Sequence, residues 1–242
     1  MSIQNTYIAH NTMLFRSWLD GIHPHTASFL NDPTYSHNPI ETLFPKIFSV
    51  PILTREWCQI LNQEFHFYDM WRKNRSYRYS PPNSMHEYGV MLSQMGLDKP
   101  IQELTEKVIV PIIAPLYPEV ESHKIDSVHG FSVQYGQYGD QDLGFHVDAS
   151  TVTVNICLGE SWEGGDLYFQ GRRCALHRQE PHREEEHYTY KHQVGEMLIH
   201  AGAHRHGVYP ILSGFRRNII LWYSVGPLMQ ETICPSWCQH NP

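Results

Sequence analysis

The chain has 242 residues, of which 41% are hydrophobic, and it carries a net charge of −7 and five cysteines. This composition predicts one domain with extensions, argues against a general nucleic-acid-binding surface, and excludes a disulfide framework, because the cysteines are odd in number and scattered. No signal peptide is visible in residues 1–9, and the apolar run at 108–117 is shorter than the ~20 residues that span a bilayer, so we expect a soluble, cytoplasmic protein with no membrane partner.

The N-terminal part of the chain predicts little regular structure. Residues 1–45 are rich in His, Asn, Pro and Ser and show no long hydrophobic period. We therefore expect an irregular extension with one short helix near 12–19.

Residues 46–125 are predicted to form a helical support region. Thr54 is a candidate N-cap for a helix that continues to about Phe65. Asp98 is a candidate cap for a second helix with an apolar stripe. Pro111 should kink or shorten that helix, because proline lacks the N–H that an α-helix needs.

After residue 125 the pattern changes to short runs of β-branched and aromatic residues separated by Gly, Asn and Asp. Strands are predicted near 129–135, 145–148, 151–158, 166–169, 196–200, 205–209 and 216–224. Helices followed by many short strands favour a mainly β fold with bracing helices, a double-stranded β-helix (a cupin-like jelly roll) over residues 126–226. A polar loop is expected at 171–191 and a C-terminal tail at 227–242.

The segment His146-Val147-Asp148 predicts a metal site. In an extended segment, side chains two residues apart lie on one face, so this His and Asp can converge on one ion. A His from a distant strand would complete a set of two His and one carboxylate, which is typical of non-haem Fe(II) oxygenases. His200, His204 and His206 all share one face of a predicted strand, so periodicity alone does not choose among them.

The segment 195–216 resembles the end of the catalytic domain of prolyl and lysyl hydroxylases, in the 2-oxoglutarate- and Fe(II)-dependent dioxygenase family. That family has a His followed by Pro four, Gly eight and Arg ten residues later, a pattern that His206, Pro210, Gly214 and Arg216 fit. Two upstream segments, 144–156 and 163–169, resemble lysyl hydroxylases. Two more, 82–90 and 116–119, resemble the eukaryotic 2-oxoglutarate and iron-dependent oxygenase domain-containing proteins. The resemblance covers 80–226, is strong over 126–226 and is weak before residue 80.

The resemblance implies a ligand set and a reaction. His146, Asp148 and His206 would bind Fe(II), and Arg216 would bind the distal carboxylate of 2-oxoglutarate. The spacing from His206 favours Arg216 over Arg217, although both faces of this strand are largely apolar. The implied reaction hydroxylates a C–H bond with O2 and releases succinate and CO2, and ascorbate (vitamin C) is the expected reductant. The first expected substrate is a Lys or Pro side chain of a protein or peptide, and the alternative is a small molecule or nucleobase.

Further residues are candidates for the pocket. Tyr135, Thr153 and Asn155 are expected to contact 2-oxoglutarate, although Tyr135 could be a core aromatic and the other two could face solvent. The side chains expected to orient the metal-bound imidazoles or to line the pocket are His200, His204, Asn218 and Trp222. Asn83 and Tyr88, in a loop predicted at 82–90, are expected to fold over the mouth of the pocket and select substrate.

Three other patterns are interpreted without a site. Four histidines, at 177, 182, 187 and 192, recur every five residues, a period that no regular element places on one face, so a solvated loop is expected, with a substrate lid as the alternative. Cys234 and Cys238 lack the second pair that a zinc site needs. The basic run 72–79 is interpreted as a solvated loop, or else as a contact for an acidic partner.

Two rival functions use the same residues differently. A cupin-like hydrolase or isomerase would hold Zn(II) in the triad and would make no use of Arg216. A non-catalytic sensor or interaction module would keep the barrel without turnover. Anaerobic addition of Fe(II) and 2-oxoglutarate separates them, because a charge-transfer absorption band is expected for the dioxygenase alone.

Overall fold

The structure is a computed structural model that describes residues 7–32, 34–73, 81–117, 120 and 125–225. The Cys234 and Cys238 tail and most of the basic run 72–79 lie outside the described residues. Within the described part of the chain, no helix is long and apolar enough to cross a membrane.

Two antiparallel sheets form the body of the protein. The strands are β1 (Glu41–Phe44), β2 (Ile47–Pro51), β3 (Gly89–Met91), β4 (Ile125–Gly136), β5 (Leu143–His146), β6 (Val152–Gly164), β7 (Leu167–Arg172), β8 (His187–Tyr190), β9 (Glu196–Ala201), β10 (His204–Val208) and β11 (Ile211–Val225). The larger sheet has the order β1-β2-β9-β6-β11-β4-β3, and the smaller has the order β5-β10-β7-β8. This confirms the predicted mainly β, jelly-roll architecture.

The helices pack on the outside of the larger sheet. They are α1 (Pro24–Asn31), α2 (Arg55–Lys73), α3 (Leu92–Met95), α4 (Asp98–Leu104) and α5 (Val110–Leu116), with 3₁₀ turns at Thr12–Phe15 and Leu19–Gly21. One core cluster joins these helices to one face of the sheet, through residues such as Phe65, Leu104 and Ile219. A second cluster fills the space between the two sheets, through residues such as Phe131 and Phe169.

Alternation along β11 assigns one face to each core. Ile220 belongs to the cluster between the sheets, whereas Ile219 and Leu221 belong to the cluster under the helices. Because side chains alternate along a strand, Arg216 faces the space between the sheets. Arg217 faces the helices.

The predicted helix ends are partly wrong. Thr54 Oγ1 accepts a hydrogen bond from Trp57 N at 3.2 Å, as an N-cap does. The helix continues to Lys73 instead of Phe65, because Tyr68 also packs in the core. Asp98 is the first helical residue and not the N-cap. The N-cap position is occupied by Leu97, whose side chain makes no capping hydrogen bond.

Pro111 shortens its helix, and the chain adjusts by a π turn. The Val110 N–H bonds to the carbonyl of Thr105, five residues back, and the π turn spans Thr105–Ile109. The following helix α5 then begins at Val110, with Pro111 in its first turn. Proline is accommodated there because the first N–H groups of a helix have no intrahelical partner.

Several elements have no counterpart in the predicted set. Helix α1, strands β1 and β2, and edge strand β3 were all unexpected, and β2 pairs with β9 in the larger sheet. Strand β8 lies inside the loop expected at 171–191 and pairs with β7. The expectation of a solvated loop is therefore wrong for this part, and His192, only 1% exposed, is buried.

Candidate active site

Two histidines and an aspartate meet at one edge of the smaller sheet. His146 ends β5 and pairs directly with His206 on the neighbouring β10. Asp148 follows two residues later, where its N–H bonds to Gly202 O at 2.9 Å. His146 Nε2 lies 3.4 Å from Asp148 Oδ1, and His206 Nε2 lies 3.6 Å from Asp148 Oδ2. One ligand atom from each residue lies within 4.8 Å of the others.

Both imidazoles are held with Nε2 free. His146 Nδ1 lies 2.8 Å from Gly144 O, and His206 Nδ1 lies 2.8 Å from His204 O. A carbonyl only accepts, so each Nδ1 carries the proton and each Nε2 presents a lone pair. Backbone carbonyls commonly fix metal-binding imidazoles in this way.

The protonation states suit a cation. Burial lowers the pKa of His206 well below its ordinary value, so this imidazole is neutral. Burial would raise the pKa of the Asp148 carboxyl, but His206, His146 and His200 together hold it well below its ordinary range. Two imidazoles and one carboxylate converge here, and this donor set fits Fe(II) in a site with open positions.

Thr153 lies beside the Asp148 carboxylate. Its Oγ1 donates to Asp148 Oδ2 at 2.5 Å. Ser150 Oγ lies 2.8 Å from Thr153 Oγ1 and is left to donate to it, because the one hydroxyl proton of Thr153 is already used. The hydroxyl proton of Thr153 is therefore directed at Asp148. The expected contact of Thr153 with 2-oxoglutarate stays a prediction.

We predict that Thr153→Val weakens metal binding. Valine keeps the shape but removes the hydrogen bond to Asp148, and loss of a group that orients a metal ligand typically costs about 10–100-fold in affinity. Calorimetric titration with Mn(II) measures the effect. Ser150→Ala is the matched control and should lose much less, and equal affinities for wild type and Thr153→Val would contradict this role.

Arg216 lies in the facing sheet, buried without a carboxylate partner. It is 1% exposed, and its Nη1 donates to Gly165 O, but its Nε has no hydrogen-bond partner. Its guanidinium lies 4.9 Å from the Tyr135 ring centroid and 5.9 Å from that of Trp162. Burial lowers its pKa. Among the described residues no carboxylate forms an ion pair with it, which leaves the guanidinium available to a ligand carboxylate.

Arg217 has a structural role. Its Nη2 lies 2.9 Å from Asp69 Oδ2 of α2 and 2.9 Å from Gln134 Oε1. This ion pair ties the outer face of β11 to the long helix. Arg217 therefore points away from the space between the sheets.

A short polar chain lies near Arg216. Asn218 Nδ2 donates to Asn155 Oδ1 at 2.6 Å and to His192 Nδ1 at 3.2 Å. His192 Nε2 in turn bonds to Glu196 O at 3.1 Å. Asn218 Oδ1 is buried without a partner. The sequence analysis placed His192 in a solvated loop. Its one signal was its place shortly before the apolar strand β9 (Glu196–Ala201).

The two rival histidines are both buried, but they differ in position. His200 Nε2 lies 4.0 Å from Asp148 Oδ2, beside the metal site. His204 packs edge-on to Phe169, and neither of its ring nitrogens has a hydrogen-bond partner. In the described part of the chain, the group able to hold a metal ion contains His206 and neither of these two.

Trp222 lies level with the metal site. It pairs with Thr153 across β6 and β11, and side chains of paired residues share a face. Its ring packs 5.2 Å from Phe131 and 5.5 Å from His129. Its Nε1 is buried without a partner, and the half-buried indole packs against the cluster between the two sheets.

The loop before β3 reaches the site through a residue that the sequence did not single out. His86 is 5% exposed, and its Nε2 lies 3.1 Å from the Tyr135 hydroxyl. Asn83 bonds within this loop, to His86. Tyr88 is 41% exposed and lines an outer groove beside α2 with Met70 and Arg217. The side chain of Tyr88 therefore lies in this outer groove, whereas it was expected to fold over the mouth of the pocket.

Comparison with known proteins supplies the family. A family model for the OGFOD2-like domain matches residues 4–122. The chain is 39% identical over 192 residues to "2-oxoglutarate and iron-dependent oxygenase domain-containing protein ICU11" of Arabidopsis thaliana, covering 79% of this chain and 48% of that protein. It is 34% identical over 197 residues to "2-oxoglutarate and iron-dependent oxygenase domain-containing protein 2" of Homo sapiens, covering 80% and 53%. The chain belongs to the 2-oxoglutarate- and iron-dependent oxygenase family.

This chain spans about half the length of the curated relatives it matches. The expectation of a weak resemblance before residue 80 is wrong, because the family model begins at residue 4. The described part of that region holds helices and short strands, and none of its residues belongs to the group able to hold a metal ion. It therefore gave no chemical signal to recognise.

Solved structures support the fold of the oxygenase. AviO1 from Streptomyces viridochromogenes Tue57 aligns with a TM-score of 0.54 and 15% identity, covering 76% of this chain and 93% of that one. HygX from Streptomyces hygroscopicus, with nickel and 2-oxoglutarate bound, aligns with a TM-score of 0.52 and 12% identity, covering 75% and 83%. At these identities the likeness shows the double-stranded β-helix fold alone.

Proposed function

We propose that this chain is an Fe(II)- and 2-oxoglutarate-dependent dioxygenase that hydroxylates a C–H bond, with a Lys or Pro side chain of a protein as the first candidate substrate. The observation that carries the proposal is the convergence of His146, Asp148 and His206, with both imidazole Nδ1 atoms bonded to carbonyls. The unpaired Arg216 on the facing sheet supports it.

The residues of the chain bind and orient. His146, Asp148 and His206 would hold Fe(II), while Thr153 keeps the carboxylate in place. Arg216 would pair with the distal carboxylate of 2-oxoglutarate in a buried setting, where a charged fork is strongest. Bound Fe(II) would supply the redox chemistry that O2 requires. The proposed balance is R–H, 2-oxoglutarate and O2 giving R–OH, succinate and CO2, with ascorbate as the expected reductant.

A relative supports a protein substrate. The chain is 27% identical over 195 residues to human "Procollagen-lysine,2-oxoglutarate 5-dioxygenase 2", covering 75% of this chain and 24% of that protein. That protein's name describes action on a lysine of procollagen. We therefore place peptides with Lys or Pro first in a substrate screen, and small molecules second. Succinate release together with the mass of the product identifies the substrate.

The cofactors are tested by anaerobic titration. Adding 2-oxoglutarate to the Fe(II)-loaded protein is expected to produce a charge-transfer absorption band, because the open positions of a facial triad let the 2-oxo acid chelate iron. The Zn(II) form is the control and should show no band. Fe(II)-loaded protein that binds 2-oxoglutarate without the band, or does not bind it at all, would favour the hydrolase or the non-catalytic module.

A further inference from the structure

Asn83 fixes the tautomer of His86. Asn83 Oδ1 accepts hydrogen bonds from Met85 N and His86 N, both at 2.9 Å. These two backbone donors identify this atom of the amide as the oxygen. His86 Nδ1 lies 3.1 Å from the same oxygen. An amide oxygen only accepts, so His86 Nδ1 must carry a proton.

The Tyr135 hydroxyl must then donate to His86. With the proton on Nδ1, a neutral imidazole has only a lone pair at Nε2. Tyr135 Oη lies 3.1 Å from this atom. Burial lowers the pKa of His86 to about 4, so the ring is neutral near pH 7. The phenol proton of Tyr135 is therefore directed at the loop.

The Tyr135 ring in turn supports Arg216. The two residues pair across β4 and β11, and the guanidinium lies 4.9 Å from the ring centroid. Tyr135 is 3% exposed and Arg216 is 1% exposed. In a buried setting, the face of an aromatic ring attracts a cation and restricts its position. Contacts therefore run from Asn83 through His86 and Tyr135 to Arg216.

We infer that His86 is a positioning residue for the cosubstrate pocket. In its Nδ1–H tautomer it accepts the Tyr135 hydroxyl, which holds the phenol ring against the Arg216 guanidinium. The Tyr135 hydroxyl thus donates a hydrogen bond to His86 in the loop, and the Tyr135 ring contacts the Arg216 guanidinium. The inference rests on the proposed function, since it takes 2-oxoglutarate as the ligand of Arg216.

The loop has other anchors, so variants at His86 can be tested in a folded protein. Asp140 accepts from Glu87 N at 3.2 Å and from Tyr88 N at 3.4 Å. Gln134 N donates to Tyr88 O at 3.2 Å. The backbone of residues 87–88 is held by these bonds, which do not involve His86.

A matched pair of polar substitutions separates positioning from packing. Glutamine places a carbonyl oxygen at about the reach of imidazole Nε2, whereas asparagine reaches only to Nδ1. His86→Gln should bind 2-oxoglutarate nearly as wild type does. His86→Asn and Tyr135→Phe should each bind it roughly three- to tenfold more weakly, the range of one net hydrogen bond. The double variant with His86→Asn and Tyr135→Phe should lose no more 2-oxoglutarate affinity than either of these single variants, because both substitutions remove the same hydrogen bond.

The affinities are measured by anaerobic calorimetry on Mn(II)-loaded protein, and Mn(II) affinity itself should stay unchanged in all variants. Tyr88→Ala is the control in the same loop, since its side chain lies on the outer face. Additive losses in the double variant, or equal losses in His86→Gln and His86→Asn, would overturn the inference.

The tautomer is tested directly on wild-type protein without metal or 2-oxoglutarate. Nitrogen-15 NMR near pH 7 should show His86 protonated at Nδ1 and accepting at Nε2. An Nε2–H tautomer with normal 2-oxoglutarate binding would defeat this inference alone. Wild-type protein that binds no 2-oxoglutarate would defeat the proposed function and the inference together.

Discussion

His146→Ala, Asp148→Ala and His206→Ala are each expected to reduce 2-oxoglutarate turnover to no more than about 1% of wild type, because three facial ligands are the minimum set that leaves the required positions open. The three ligand atoms lie within 4.8 Å of one another, so each side chain contributes one ligand to the same ion. Asp148 lies between the two imidazoles, 3.4 Å from His146 Nε2 and 3.6 Å from His206 Nε2. Succinate release measures turnover, and Mn(II) calorimetry measures the metal affinity.

His204→Ala is the control for this series. Its imidazole has no hydrogen-bond partner and lies outside the metal-binding group of the described residues. It should therefore keep metal binding, although the lost packing against Phe169 is expected to lower stability. If His204→Ala loses the metal and His206→Ala keeps it, the assignment of His206 is wrong.

The barrel and the candidate triad were predictable, because their signals are local. His146 and Asp148 are two residues apart, and His206, Pro210 and Arg216 lie within β10, the turn that follows it and the start of β11. The early strands were harder to predict. Ile47–Pro51 is a short buried run, and a short apolar run gives no period that distinguishes a strand from a helix.

Partners from distant segments could not be predicted. Asp69 is the ion-pair partner of Arg217 on the outer face of β11, yet it lies on α2, far away in the sequence. Both faces of β11 are apolar, because one packs on helices and the other on the smaller sheet, so alternation gave no polarity to interpret. His86 and His192 likewise reach the site from segments whose local sequence indicates only a loop.

Thr153 shows a limit of face assignment. The alternation in β6 correctly placed Thr153 and Asn155 on the polar face toward the pocket, opposite buried Val154. Alternation does not indicate which group within the pocket each contacts. Thr153 bonds to Asp148 and Asn155 to Asn218. The contact between Thr153 and Asp148 depends on the turn after β5, whose shape the sequence pattern does not specify. The contact between Asn155 and Asn218 depends on the pairing of β6 with β11.

Arg216→Ala is expected to weaken 2-oxoglutarate binding by roughly 2–5 kcal/mol, the usual cost of removing one partner of a buried charge pair. Fe(II) affinity should stay nearly unchanged, because Arg216 belongs to the facing sheet. Calorimetry with each ligand measures both quantities. Without ligand, the variant should melt no lower than wild type, since the mutation removes a buried cation that forms no ion pair with any carboxylate of the described residues.

Arg217→Ala should show the opposite pattern. The substitution removes the ion pair between Arg217 and Asp69 Oδ2. Asp69 keeps its second ion pair, because Arg72 lies 2.9 Å from Asp69 Oδ1. We expect a loss of about 2–4 kcal/mol in the free energy of unfolding, somewhat less than for a pair with no second partner. The affinity for 2-oxoglutarate should change little in the fraction that remains folded. Equal losses of cosubstrate affinity in the two variants would contradict the assignment, because two neighbours on opposite faces of a strand cannot both reach one ligand.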